Sequence, residues 1–311
     1  MPTVRPLRPL RSLLFVPAAD GRLIASAATR DCDAAILDLE DGTHPSRKAA
    51  ARQGLEAAYA TLAAAGKAVA VRINADLLTA VADLQAAVRP GLDLLVLPKV
   101  EHARDVQLLA SAVAALEADR CMAAGHVRLL LQIESALALP RLHEIAAADA
   151  RVMGMMLGSE DFSLDCGGLP SPEALMAPSL MVLHAARAAR IQPIGFVASI
   201  AALGEVEAFR LVLEQARGLG FRGAVVVHPK FIAAVNDCYT PAPAQCAEAR
   251  AIVDAFETAD ANGLGAIRVG TLMVDKPVYR RALALLRDAE AMGAVAPAPQ
   301  PIHPPQQTET P

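Results

Sequence analysis

From Ser12 to about Pro229 the chain repeats one pattern eight times: a short run of Leu or β-branched residues, then a longer Ala-rich stretch. The runs are SLLFVPA (12–18), AAILDLE (34–40), AVAVRIN (68–74), LDLLVLPK (92–99), VRLLLQIES (127–135), MGMMLGSED (153–161), PIGFVAS (193–199) and AVVVHPK (224–230). Apolar runs without strict polar alternation predict strands buried on both faces, as in a parallel sheet. Between them, stretches such as ARDVQLLASAVAALEA and EVEAFRLVLEQARGLG repeat their apolar residues every three or four positions, which predicts crossover helices with one buried face. Gly66, Gly125 and Gly218 or Gly220 stand where such helices would end. Eight strand–helix units point to an α/β protein of the (β/α)8 TIM barrel type with a C-terminal helical extension, and a doubly wound open sheet is the alternative.

The same reading divides the chain into an N-terminal arm (1–11), a barrel (12–235), a C-terminal extension packing on the barrel or on a neighbouring subunit (236–295) and a Pro- and Gln-rich disordered tail (296–311). Lys and Arg number 29 against 33 Asp and Glu, a net charge of −4, so no basic field invites a nucleic acid or an anionic membrane. No apolar run approaches the roughly 18 residues of a membrane span. The five cysteines are widely spaced with no CxxC pair, which argues against a disulfide framework or structural zinc and for a reducing, cytoplasmic setting.

Polar residues are scarce in the eight runs, yet they gather at one end of each. Asp38, Glu40 and Asp41 close the second, Arg72 and Asn74 the third, Lys99 and Glu101 the fourth, Glu134 and Ser135 the fifth, Glu160 and Asp161 the sixth, and His228 the eighth. In a closed barrel these ends share one face, where barrel enzymes carry their chemistry. Any one of the carboxylates also fits a helix N-cap. Together they would repel one another unless a cation sat among them, and a dense carboxylate set suits Mg²⁺, which completes its shell with water and substrate oxygens. Gly218, Gly220 and Gly223 spell GxGxxG, but they follow a helix and precede a strand, the reverse of the dinucleotide-binding order.

In order and spacing, LLFVPA, LDLEDG, VRIN, LPKVE, QIESA, GSEDF and VVVHPKFI resemble the citrate lyase beta-subunit and HpcH/HpaI aldolase superfamily, in its acyl-CoA lyase branch. The resemblance spans about residues 10 to 292. It implies a homotrimer or hexamer and Mg²⁺-dependent retro-Claisen cleavage of a malyl-CoA or citramalyl-CoA type 3-hydroxyacyl thioester to acetyl-CoA and a 2-oxo acid. By motif, Glu134 and Asp161 would be the metal ligands, and Arg72 would hold the substrate carboxylate. Glu40 and Asp41 would position metal-bound water. Phe15, Pro17, Lys99 and His228 would lie along the substrate and CoA edge, although His228 before Pro229 also suits a structural role. Asp275, within TLMVDKPVYRRA, would enter a neighbouring subunit's site as acid or base. Alternatives within the same resemblance are a citrate lyase beta subunit acting on a carrier-bound citryl thioester and a non-catalytic barrel subunit. The chain departs from the family pattern at Ala18, where Gly is common, at Gly195, where Asp is frequent, and at Thr43 and His44.

Overall fold

The structure is a computed structural model that describes residues 9–293; the expected tail and residues 1–8 of the expected arm lie outside the described residues. It comprises two compact units, divided after Tyr239.

In the first unit, β1 (Ser12–Pro17), β2 (Ala34–Asp38), β3 (Ala68–Arg72), β4 (Leu94–Leu97), β5 (Arg128–Ile133), β6 (Val152–Leu157), β7 (Gln192–Pro193) and β8 (Ala224–Val226) form one parallel sheet in the order β7-β6-β5-β4-β3-β2-β1-β8. The two ends of the sheet meet: Arg222 donates its backbone N–H to the Pro193 carbonyl at 2.9 Å, and Gly195 donates to Gly223 at 2.9 Å. The sheet therefore closes as a (β/α)8 barrel rather than opening into a doubly wound sheet. Helices Gly21–Ala28, Lys48–Ala64, Leu77–Ala87, Ala103–Asp119, Leu142–Ala146, Pro172–Ala188 and Val206–Leu219 make the crossovers. Gly66, Gly125 and Gly220 adopt positive φ in the helix-to-strand turns.

Two-residue periodicity sorts the strand side chains into two layers. Leu14, Val16, Ala35, Leu37, Val69, Val71, Leu129, Leu131 and Ile133 pack outward under the helices. Leu13, Ala34, Ile36, Ala70, Leu94, Val96, Leu130, Met156 and Val225 fill the barrel interior. Burying each Leu, Ile, Val or Met among them contributes about 1.5–3 kcal/mol. The same alternation, continued to the C-terminal ends of the strands, places Asp38 and Glu40 in line with Ile36, Arg72 in line with Ala70, and Gln132 and Glu134 in line with Leu130. The chemistry-bearing side chains thus occupy the top of the inner layer.

The observed strands are shorter than the sequence runs, most of all at β7. Pro193 has no N–H to extend the ladder, and Gly195 at φ 138° takes a backbone conformation that L side chains rarely adopt. Beyond Gly195 the chain leaves the sheet, and Phe196, Ala198 and Ile200 line the cavity at the barrel mouth. The run ending at Asp161 divides as well, since Ser159–Asp165 is a helix and Asp161 stands in its first turn.

The second unit joins helix Pro243–Ala261, an antiparallel hairpin of β9 (Ala266–Val269) and β10 (Leu272–Asp275), and helix Lys276–Ala291. Ile252, Val253, Phe256, Val274 and Leu286 form its core, and Phe256 stacks on Tyr279 at 4.8 Å. The extension is therefore helices plus a hairpin. Among the described residues, no helix is long and apolar enough to cross a membrane, and all five cysteines are free.

Candidate active site

Asp38 and Arg72 form the fixed part of the site. The Arg72 guanidinium donates from Nε to Asp38 Oδ1 at 2.8 Å and from Nη2 to Oδ2 at 2.6 Å, a bidentate pair between neighbouring strands. Nη1 lies 2.9 Å from Glu40 Oε2, and the cation sits over the Phe15 ring at 4.8 Å. Glu40 Oε2 finds no partner with hydrogen-bond geometry, so its contact with Arg72 is an ion pair only. Burial opposes the charge on Arg72, but its hydrogen bonds and ion pairs with Asp38 and Glu40 outweigh that effect and hold it protonated. Asp38 further accepts from the backbone N–H groups of Glu40 (2.9 Å) and Gly42 (2.8 Å), while the Thr43 hydroxyl donates to the Asp38 carbonyl at 2.6 Å. Residue 42 must be glycine here, because a Cβ would lie 2.4 Å from Asp38 Oδ2. Thr43, a departure from the family pattern, is thus absorbed as a brace of this turn.

Across the mouth, Glu134 is almost fully buried, at 3% exposure. Its Oε1 accepts from Gln132 Nε2 at 2.7 Å and its Oε2 from the Lys99 backbone N–H at 2.8 Å. Lys99 aims that N–H by adopting φ 51°, a left-handed conformation uncommon for a residue with a side chain and frequent at functional sites. The Lys99 ammonium bonds Glu40 Oε1 at 3.0 Å. Burial first, and then the charges of Glu40 and Asp161, push the Glu134 carboxyl up to about 8, against the opposing Lys99 hydrogen bond and the Arg72 charge. Burial likewise raises Glu40. Several acids thus crowd a space where Arg72 and Lys99 do not fully neutralise them.

That space is a cavity of about 460 Å³. Asp38, Asp41, Arg72, Gln132, Glu134 and Asp161 line its polar side, and Phe15, Pro17, Met156, Phe196, Ile200 and Val225 its apolar side. Of the residues singled out in the sequence, Phe15, Pro17, Asp41, Arg72, Glu134 and Asp161 meet here. Glu40 and Lys99 stand behind them as ion partners. His228 is exposed and caps the turn at Pro229–Phe231, its Nδ1 accepting from the Lys230 N–H at 3.1 Å. Asn74 is a brace of strand β3, bonded twice to the fully buried carboxylate of Asp83. Asp275, in the second unit, caps helix Lys276–Ala291 by accepting from the Val278 N–H at 3.1 Å.

Sequence reasoning gave no role to three residues. Asp38 was one strand-end acid among several, and only the fold shows that it holds Arg72. Gln132 shares the inner face with Glu134 at a spacing of two, a signal present in the sequence. Gly158 leaves the room in which that pair lies. Glu160 also lines the cavity, with its Oε1 accepting from Ser199 (2.7 Å) and Ser159 (3.1 Å), which tethers the 194–204 segment.

Among the described residues, no three carboxylate, imidazole or thiolate side chains converge closely enough to bind a metal by themselves. Two carboxylates, Glu134 and Asp161, facing an open cavity with excess negative charge, fit a hard divalent ion that keeps most of its water.

The HpcH/HpaI aldolase/citrate lyase family model matches residues 11–229. Citrate lyase subunit beta of Escherichia coli K12 is 34% identical over 292 residues, which cover 93% of this chain and 96% of that one. The L-malyl-CoA/beta-methylmalyl-CoA lyase of Cereibacter sphaeroides is 32% identical, covering 93% and 97%. The crystal structure of CitE from Mycobacterium tuberculosis with magnesium, acetoacetate and coenzyme A superposes with a TM-score of 0.68 at 29% identity, covering 89% of this chain and 97% of that one. With the family model matching residues 11–229 and relatives more than 30% identical along 93% of its length, the chain belongs to the HpcH/HpaI aldolase/citrate lyase family.

Proposed function

We propose that the protein is a Mg²⁺-dependent carbon–carbon lyase that cleaves a 3-hydroxyacyl-CoA of the malyl-CoA or citramalyl-CoA type to acetyl-CoA and a 2-oxo acid. One observation carries this reading: a rigid Arg72–Asp38 pair and the buried carboxylate of Glu134 face one cavity, with Asp161 completing the acidic side. A bound Mg²⁺ would polarise the substrate hydroxyl oxygen and stabilise the negative charge that develops there. Glu134 and Asp161 would hold the ion. Arg72, already oriented by Asp38, would receive the substrate carboxylate along the edge of the cavity without reorganising. Glu40, paired to both Arg72 and Lys99, would keep those cations in place, and Asp41 would contact water at the rim. Cleavage passes the hydroxyl proton to water, which in turn re-protonates the acid that donates in the last step, and breaks the bond to the carbon next to the thioester. That carbon keeps the electron pair and takes up a proton, which we assign to Asp275 supplied by a second copy of the chain in a homo-oligomer.

A second reading is favoured by the likeness to citrate lyase beta subunits, in which the thioester would ride on a carrier protein rather than on CoA. The purified chain is assayed with Mg²⁺ against malyl-CoA, citramalyl-CoA and free citrate, following release of glyoxylate, pyruvate or oxaloacetate. Cleavage of a CoA ester is the expected result, and inactivity on both CoA esters refutes the CoA-dependent reading. Mixing inactive Asp275→Asn chains with inactive Arg72→Ala chains should restore part of the activity, and no restoration refutes the shared site.

A further inference from the structure

The Gln132 carboxamide is only half used. It is 6% exposed, lines the cavity and donates Nε2 to Glu134 Oε1 at 2.7 Å, while its own Oε1 is buried without a hydrogen-bond partner. With Glu134 ionised, as cation binding requires, rotating the amide would set its oxygen against a carboxylate oxygen, so Nε2 faces Glu134. A buried amide oxygen left without a donor costs about 1–3 kcal/mol, so such an atom on a residue that lines a ligand cavity points to a donor that arrives with the ligand. The surroundings confirm that the position is built. Gln132 and Glu134 lie on the same face of β5, and both press against the bare Cα of Gly158, where a Cβ would come within 2.9 Å of Gln132 Nε2 and 2.6 Å of Glu134 Oε1.

We propose that Gln132 is a positioning residue for the Glu134 site: its N–H fixes the carboxylate, and its Oε1 accepts a hydrogen bond from an O–H group of the bound cation and substrate. This rests on the proposed binding of a divalent cation at Glu134 and Asp161. The O–H group has two sources, a water held by the cation or the substrate hydroxyl. The 2-oxo acid formed by cleavage has no hydroxyl on that carbon, so a bond to the substrate hydroxyl would be specific to the unreacted thioester.

The test uses the full chain and three forms of residue 132. Gln132→Met keeps the shape and loses both the donor and the acceptor. Gln132→Glu keeps acceptor oxygens and adds charge beside Glu134. Mn²⁺ affinity is measured by electron paramagnetic resonance without substrate, alongside KM and kcat for the thioester and the unfolding temperature without metal. If cation-held water is the donor, Gln132→Met should weaken Mn²⁺ binding about tenfold, whereas Gln132→Glu should bind at least as tightly as wild type. If the substrate hydroxyl is the donor, KM for the thioester at saturating Mn²⁺ rises about tenfold in Gln132→Met, with 2-oxo acid affinity at saturating Mn²⁺ unchanged. Wild-type Mn²⁺ affinity, KM and kcat in Gln132→Met overturn the proposal. So does Gln132→Glu binding Mn²⁺ more weakly than Gln132→Met, the order expected if the residue only stabilised the fold. Should Gln132→Met fail to fold, Gln132→Glu is compared with wild type instead, and weaker Mn²⁺ binding than wild type overturns the proposal. Absence of Mn²⁺ binding in the wild-type protein refutes the cation reading itself, and the proposal with it.

Discussion

Gly158→Ala adds one methyl group and should nonetheless dismantle the Glu134 carboxylate's seat. The new Cβ would lie 2.6 Å from both Glu134 Cγ and Oε1, and 2.9 Å from Gln132 Nε2. Carbon contacts settle at about 3.5–4.0 Å, so the Glu134 side chain must retreat by about 1 Å. It has little room to do so, because its two oxygens are held by the Gln132 amide and the Lys99 N–H. Overpacking of this kind costs about 1–3 kcal/mol, which in a barrel of this size lowers the unfolding temperature by about 2–12 °C. A 1 Å displacement of a group at the reacting centre should cost about a hundredfold in kcat/KM. Differential scanning calorimetry and the Mg²⁺-dependent lyase assay measure the two effects. The cause is isolated in a double-mutant cycle: in Glu134→Ala both contacts with Glu134 are gone and only Gln132 Nε2 remains within 2.9 Å, at the end of an amide freed from its partner, so Gly158→Ala should then lower the unfolding temperature much less. Wild-type stability and turnover in Gly158→Ala, or the same thermal loss with and without Glu134, would refute the reasoning.

Four further outcomes follow from the contacts of the site. Since the Glu134 carboxyl in the metal-free protein titrates at about 8, well above its ordinary value near 4.5, a cation must displace its proton at lower pH. Mn²⁺ affinity should therefore climb about tenfold per pH unit toward pH 8 and then level off, and a flat profile from pH 6 to 9 contradicts this. By the same linkage, the raised group favours the folded state below its unfolded pKa, so metal-free stability should fall as pH rises toward 8. Asp38→Ala strips the buried Arg72 of its bidentate partner, and loss of one member of a buried pair costs about 3–5 kcal/mol. Asp38→Asn should unfold later than Asp38→Ala by calorimetry, because it still accepts hydrogen bonds, and equal melting points would refute this. At Lys99, glycine relieves the left-handed backbone and loses only a partly exposed ion pair, whereas valine adds β-branched strain of about 1–3 kcal/mol. Lys99→Gly should thus melt above Lys99→Val, and the reverse order refutes a strained Lys99.

Much of this protein is written in local pattern. Eight apolar runs with helical intervals are enough to demand a parallel sheet wrapped in helices, because strands without a polar face must be buried on both sides. The ends of those runs locate Arg72, Glu134 and Asp161, since polar residues that interrupt so apolar a chain have only the barrel mouth to occupy. Closure of the sheet is a different matter. It rests on bonds between residues 193–195 and 222–223, whose alignment depends on the accumulated twist of all eight strands. Tertiary structure alone decided that Asp38 is the partner of Arg72, that Lys99 bends to present its N–H to Glu134, and that Asn74 serves Asp83 while His228 serves a turn. Asp38 and Arg72 lie far apart in sequence, and Lys99 depends on a backbone angle; residue type and periodicity encode neither. Gln132 falls between the two: its spacing from Glu134 is legible in the sequence, but the missing partner on its oxygen exists only once the barrel has closed around it.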